Sequence, residues 1–343
     1  MAIAYLYTLL VVLTWGLSLA FNKAMLLAHR GGVWLTPTQV AFWSIAVGWL
    51  TLFSLLAARR RLGRLRDIAG RGWLVLVAMG FFGWAGYTVA LNFAFTRLRL
   101  PDAIVINYLH PVFVVVFQGA AFGYVVRFLS RWEQASDTSA RPSPARIGAG
   151  LMLCLFGVAM IATEGRLTAL GGLRSSSGAL AALFAAFAWG VYSNLGRFVA
   201  PRPGRQASGI ADLQSFLAMT LGLAMLAVVL AATGPVNPPN GYYTSLYLLS
   251  LGPAEVNVWW LIVGMGVVVY CGGFTLWLYV LELGARLGGA HKLPPLTYLS
   301  PVLAVAVGWV MLHEGFGPGF WQGAALIAAG NAVNITGRRK TRT

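Results

Sequence analysis

The chain has 343 residues, of which 58% are hydrophobic and only 10% are charged, and its mean hydropathy is +0.73. This composition excludes an ordinary soluble domain, because most of such a chain must face lipid rather than water. The net charge of +16 would favour nucleic acid in a soluble protein. Here the basic residues lie in loops and at the ends of apolar segments, so we expect membrane topology to explain them and no nucleic-acid partner.

Ten apolar segments approach the length that a helix needs to cross a bilayer, and they predict an all-α membrane protein with ten transmembrane helices. The first follows Met1 directly and lacks a charged leader and a cleavage site, so we expect it to be retained as a membrane helix. The predicted helices span roughly residues 2–23, 36–57, 73–96, 102–126, 147–163, 178–199, 210–232, 258–281, 289–312 and 318–336.

The basic residues also predict the orientation of these helices. If the N-terminus is cytoplasmic, 19 of the 25 Lys and Arg residues lie on the cytoplasmic side and 6 on the other. The positive-inside bias therefore predicts cytoplasmic N- and C-termini.

The two halves of the chain repeat each other. The segment Tyr108-Leu-His-Pro-Val returns 190 positions later as Tyr298-Leu-Ser-Pro-Val, and Trp15-Gly returns 174 positions later as Trp189-Gly. Each half, 1–165 and 166–343, has five predicted helices, and an odd number makes the second half an inverted copy within a single membrane domain. Such a pair encloses a midplane cavity that opens to either side by rocking.

Acidic residues are absent from the centres of the predicted helices. A carrier of organic cations usually keeps a carboxylate in its cavity, and a carrier of phosphates keeps Lys or Arg there. The sequence therefore favours a neutral or zwitterionic solute. Cys154 and Cys271 have no close partner in sequence, so we expect no disulfide, metal or cofactor. The acidic residues are Asp67, Asp102, Glu133, Asp137, Glu164, Asp212, Glu255, Glu282 and Glu314.

Aromatic rings with polar tips share helix faces with other polar side chains in both halves. Trp15, Ser18 and Asn22, for example, lie on one face of the first predicted helix. These faces predict one aromatic chamber, although any single ring could instead pack against a helix or anchor at the interface. His110 could contact a ligand, form a structural hydrogen bond or carry a proton. The candidate substrate-binding residues are Trp15, Tyr87, Asn107, Tyr108, His110, Trp189, Tyr192, Trp277 and Tyr298.

Pro111 and Pro301 fall inside the fourth and ninth predicted helices. Each removes a hydrogen bond from the carbonyl four residues earlier, in Asn107 and Thr297, so we expect kinks that act in gating or that only shape the helix.

Two long connections lie between the predicted helices. Residues 127–146 predict a flexible loop, and residues 233–257 an interfacial helix or lid.

These segments resemble the EamA-like proteins, the ten-helix branch of the drug/metabolite transporter superfamily. The resemblance lies in residues 107–111, 188–193, 298–302 and 320–324 and covers nearly the whole chain. Within that branch the chain is most similar to the aromatic amino acid exporters. This resemblance implies that Tyr87, Tyr108, His110 and Trp189 line the cavity. His110 stands where those exporters have tryptophan, which implies broader amino acid selectivity.

We therefore expect a bacterial inner-membrane exporter of aromatic and other sizeable neutral amino acids that works by facilitated alternating access. Efflux of neutral drugs or other small metabolites is the alternative within transport. An intramembrane enzyme would need a buried nucleophile with its base, a metal cluster or an Asp-rich site, and the sequence offers no such grouping. The sequence leaves the oligomeric state open, with a monomer as the expectation.

Overall fold

The computed structural model describes most of the chain, and 86% of the described residues are helical. The flexible loop expected at 127–146 lies outside the described residues up to 143. The described ranges are 2–67, 72–98, 100–117, 144–163, 165–166, 176–199, 211–233, 238–247, 253–287, 293–312 and 319–335.

The described part of the N-terminal half contains six helices, and the third of them is continuous through a π-helical segment at Gly80–Ala85. A 3-10 turn at Leu62–Asp67 precedes that helix. The helices are α1 (Ala2–Leu27), α2 (Pro37–Ala58), α3 (Trp73–Arg97), α4 (Leu100–Asn107), α5 (His110–Phe117) and α6 (Pro144–Ala162).

The described part of the C-terminal half contains five helices. Its third helix, α9, has three parts: Val258–Gly264, a π-helical segment at Met265–Phe274, and Thr275–Arg286. A 3-10 segment at Pro294–Leu299 leads into the next helix. The remaining helices are α7 (Ser176–Leu195), α8 (Ala211–Thr233), α10 (Ser300–Leu312) and α11 (Gly319–Ile335).

Among the described residues, six helices are long and apolar enough to cross a membrane: α1, α2, α3, α7, α8 and α9. Local sequence signals set some of their ends. The α2 helix begins with a capping box, in which the Thr36 hydroxyl accepts from Gln39 N and the Gln39 side chain accepts from Thr36 N, and Pro37 follows at the first helical position. At the start of α9 the Asn257 side chain accepts from Trp259 N.

The two predicted proline kinks take a different form in the structure. The predicted helix at 102–126 is interrupted by a turn at Tyr108 and Leu109, so Pro111 lies in the first turn of α5. Pro301 likewise lies in the first turn of α10, and the Thr297 carbonyl accepts from Ser300 N rather than remaining free. The expected kink within a continuous helix is therefore wrong, because a proline at a helix start removes no helical hydrogen bond.

A small antiparallel sheet joins the two halves at one end of the bundle. Its strands are β1 (His29–Arg30), β2 (Val33–Trp34), β3 (Tyr243–Tyr247) and β4 (Pro253–Asn257), in the order β2-β1-β3-β4. The interfacial helix expected at 233–257 is therefore wrong for the described part of that range. Residues 242–246 alternate between buried and exposed, which is the period of a strand rather than of a helix.

Two glycines allow close contact between helices, Gly16 between α1 and α10 and Gly190 between α7 and α5. A Cβ on Gly16 of α1 would lie 2.7 Å from Leu303 Cβ of α10, and a Cβ on Gly190 of α7 would lie 2.4 Å from Phe113 Cβ of α5. Gly16 and Gly190 differ by 174 positions, and Phe113 and Leu303 by 190, which are the offsets of the sequence repeat. The two contacts are therefore equivalent pairs of the two halves.

Candidate functional site

Five segments of the bundle meet at one central cavity with a volume of about 30 Å³. The side chains come from α1, α3, the α4–α5 break, α7 and α9, so both halves contribute. This volume holds roughly two water molecules. A larger solute can therefore enter only if the surrounding side chains separate. The lining residues are Trp15, Ser18, Leu19, Asn22, Tyr87, Thr88, Leu91, Asn107, Tyr108, His110, Trp189, Met265, Val269, Tyr270 and Phe274.

Aromatic rings from both halves touch across the deeper part of this cavity. The Trp15 and Trp189 ring centroids are 4.9 Å apart at 90°, and Trp189 lies 4.9 Å from Phe274 and 5.1 Å from Tyr87. The His110 ring is 6.1 Å from Trp189. Edge-to-face pairs at these separations attract one another beyond simple burial, so the rings form one cluster.

Six of the nine candidate residues line the cavity: Trp15, Tyr87, Asn107, Tyr108, His110 and Trp189. The structure places two others one layer behind these rings. Tyr192 is fully buried with its ring 5.3 Å from Trp189, and the Trp277 ring is 5.2 Å from Trp15. The Trp277 indole N–H donates to Ser193 Oγ at 3.4 Å.

The remaining candidate, Tyr298, has a side chain outside the part of the chain that the structure describes, as does Pro111. Cavity residues beyond the candidate set fall into two groups. Ser18 and Asn22 share the predicted face of Trp15, and helical spacing likewise relates Thr88, Tyr270 and Phe274 to aromatic positions on their own helices. Aliphatic residues such as Leu19 and Met265 carry no such signal, because any lipid-facing position has the same composition.

No Asp, Glu, Lys or Arg lines the cavity in the described chain. Its polar groups are hydroxyls, carboxamides, an imidazole and two indoles. Several of their buried atoms have no hydrogen-bond partner among the described residues, namely Trp15 Nε1, Asn22 Oδ1, Asn107 Oδ1, His110 Nδ1 and Trp189 Nε1. Buried polar atoms are nearly always paired, so a cluster of unpaired ones around one cavity suits a polar ligand or water.

The helices that form the cavity deviate from α geometry at matched positions. The π-helical segment of α3 begins at Gly80, and the equivalent position 190 residues later, Tyr270, lies in the π-helical segment of α9. The interruption at Tyr108–Leu109 likewise corresponds to the change from 3-10 to α geometry between Leu299 and Ser300. Such π segments are frequent at functional sites. Both halves therefore carry irregular backbone where the cavity lies.

Helices that can cross a membrane, around a central cavity built from both halves, define a membrane transporter of small substrates. Residues 2–131 and 176–336 match the model of the EamA-like transporter family. The chain belongs to this family and is a multi-pass membrane protein.

The solved structures agree with the fold. One crystal structure of a protein 22% identical to this chain covers 97% of this chain and 96% of its own, with a TM-score of 0.64. Similarity at that identity shows a shared fold alone. No curated protein sequence matches the chain.

Proposed function

We propose that this protein exports amino acids across the bacterial inner membrane, with aromatic and other sizeable neutral side chains preferred. The observation that carries the proposal is the uncharged, ring-lined cavity, where single atoms of indole, imidazole and carboxamide groups lack partners among the described residues. Rings accommodate a large apolar side chain, and neutral polar groups can pair with both charges of a zwitterion.

The architecture in this proposal is ten transmembrane helices in two inverted five-helix repeats, with both termini cytoplasmic. The equivalent glycine contacts of Gly16 and Gly190, and the matched irregular segments of α3 and α9, support the repeat. Transport then proceeds by alternating access, in which one half rocks against the other. The lack of charged side chains among the described lining residues favours movement down the gradient of the substrate over coupling to protons.

Entry of the substrate requires the ring cluster to open, because the cavity of about 30 Å³ does not hold an amino acid. The contact between Trp15 and Trp189 joins α1 and α7, one helix from each half. Separating these two rings therefore requires a rotation of their side chains or a shift of α1 relative to α7. Binding of an aromatic side chain between them would replace the lost ring contacts.

Uptake of labelled phenylalanine, tryptophan, threonine and methionine into liposomes with the purified protein, without an ion gradient, tests this function. We expect saturable uptake that Tyr108→Ala and His110→Ala weaken, because both side chains line the cavity. The four substrates rank the tolerated side chains. Uptake no greater than in empty liposomes would overturn amino acid transport and favour efflux of neutral drugs or other metabolites through the same cavity.

A further inference from the structure

Two carboxamides reach the cavity from different helices. Asn22 of α1 is 4% exposed and Asn107 at the end of α4 is 2% exposed, and both line the cavity. The Oδ1 atom of each has no hydrogen-bond partner among the described residues. The Oδ1 atom of the buried Asn92 is also unpaired, but Asn92 donates to Pro37 O and does not line the cavity. Asn22 and Asn107 are therefore the carboxamides of the described chain that combine an unpaired oxygen with a place in the cavity lining.

Asn22 lies at the opposite end of the cavity from the ring cluster. Seven residues separate it from Trp15 on α1, which is about 10 Å along the helix axis. Lys23 Nζ donates to Phe95 O at 3.0 Å, so Asn22 lies level with the last turns of α3, at the end of the bundle that carries the sheet. The cavity thus has Asn22 at one end and the rings toward the other, and Asn107 lies beside the Tyr87 hydroxyl.

A carboxamide suits a zwitterion because it carries no net charge but has both an acceptor oxygen and two N–H donors. Its oxygen can accept from an ammonium group while its nitrogen donates to a carboxylate. A carboxylate side chain in the same place would attract the ammonium group and repel the carboxylate group of the substrate. Among the described residues, the lining contains no charged side chain that could take over either task.

We propose that Asn22 and Asn107 form the subsite that binds the ammonium and carboxylate groups of the α-amino acid. The substrate side chain then points toward the rings around Trp15 and Trp189. This inference rests on the proposed amino acid transport and specifies how the substrate is oriented. It predicts that a ligand must carry both charges to bind well.

Calorimetric titration of the full-length protein in detergent tests the subsite with three phenyl compounds. Phenylalanine has both charges, 2-phenylethylamine lacks the carboxylate, and 3-phenylpropionate lacks the ammonium group. We expect the wild type to prefer phenylalanine, and Asn22→Leu to weaken its binding by about ten- to a hundredfold, as for a lost hydrogen bond to a charged group. Asn22→Asp, which keeps the shape, should reverse the preference in favour of 2-phenylethylamine, and Asn107→Asp should do the same.

Asn92→Leu is the matched control, since it makes the same change in a buried residue that does not line the cavity. Phenylalanine binding should survive it. If the wild type transports phenylalanine in liposomes but Asn22→Asp and Asn107→Asp leave the order of the three ligands unchanged, the subsite is overturned and the export function stands. If the wild type neither binds nor transports phenylalanine, the proposed function fails and the subsite with it.

Discussion

Replacing Gly83 with alanine tests how tightly Tyr192, which lies one layer behind the cavity rings, packs in the ring cluster. A Cβ at this position would lie 2.2 Å from Cδ2, 2.5 Å from Cε2 and 2.7 Å from Cγ of Tyr192. The ring would have to move by more than 1 Å to reach an ordinary contact of about 3.5 Å. It is fully buried and is packed 5.3 Å from Trp189 and 6.2 Å from Phe274, so no open space receives it.

Overpacking of this kind costs about 1–3 kcal/mol. Alanine also favours a helix over glycine by about 1 kcal/mol, which offsets part of the cost. Gly272→Ala is the matched control for the cost of overpacking. Among the described residues its Cβ would meet only Val267 O, at 3.5 Å, while the helix gains the same propensity. We therefore expect Gly83→Ala to be less stable than Gly272→Ala by about 1–3 kcal/mol.

Thermal unfolding of the purified variants in detergent measures this difference, and Gly83→Ala should melt roughly 2–10 °C below Gly272→Ala. When both glycine variants are made in a Tyr192→Ala background, they should melt at nearly the same temperature, since Gly83 and Tyr192 are in direct contact. Equal melting temperatures for Gly83→Ala and Gly272→Ala would refute the reasoning and show that the Tyr192 ring is free to move.

Two further predictions concern contacts between helices. Asn194→Leu removes bonds from its amide to Val114 O at 3.0 Å and to Gly190 O at 2.9 Å, so the free energy of unfolding should fall by about 1–3 kcal/mol in the same melting assay, and a melting temperature equal to the wild type would contradict this. The guanidinium of Arg61, the residue before the 3-10 turn, pairs with the Asp212 carboxylate of α8. Asp212→Arg alone should therefore cost stability, and adding Arg61→Asp should restore part of it. The part-exposed pair contributes about 1 kcal/mol or less, and a double variant less stable than the single one would exclude a direct pairing.

The sequence was most informative where local signals act alone. The prediction of a helix at 36–57 is close to the observed Pro37–Ala58, because Thr36, Pro37 and Gln39 define its start by themselves. The sheet was not predicted, since β1 and β2 have two residues each and His29 pairs with Tyr243 more than 200 positions away. Strand pairing at such separation depends on how the helices place the two loops.

The site residues likewise divide into those that local sequence signals predicted and those that depend on tertiary packing. Helical spacing placed Trp15, Tyr87 and Trp189 on faces that do meet at the cavity. The rotation of each helix decides which member of a face reaches the cavity, and this rotation depends on tertiary packing. The Tyr192 ring packs directly against Gly83, and the Trp277 indole N–H donates to Ser193 Oγ, so both rings lie behind the cavity lining. Spacing alone could not separate these two rings from those that line the cavity.

The most direct test of the central claim is exchange of labelled phenylalanine in liposomes preloaded with unlabelled phenylalanine, which reports passage through a binding site. The wild type should show uptake accelerated by preloading. Trp189→Ala should slow it about two- to tenfold, because a buried ring contact is lost. Trp260→Ala, the same change at a side chain that is 73% exposed, should not. Equal exchange in the two variants, or exchange in neither the variants nor the wild type, would contradict transport of amino acids through the ring-lined cavity.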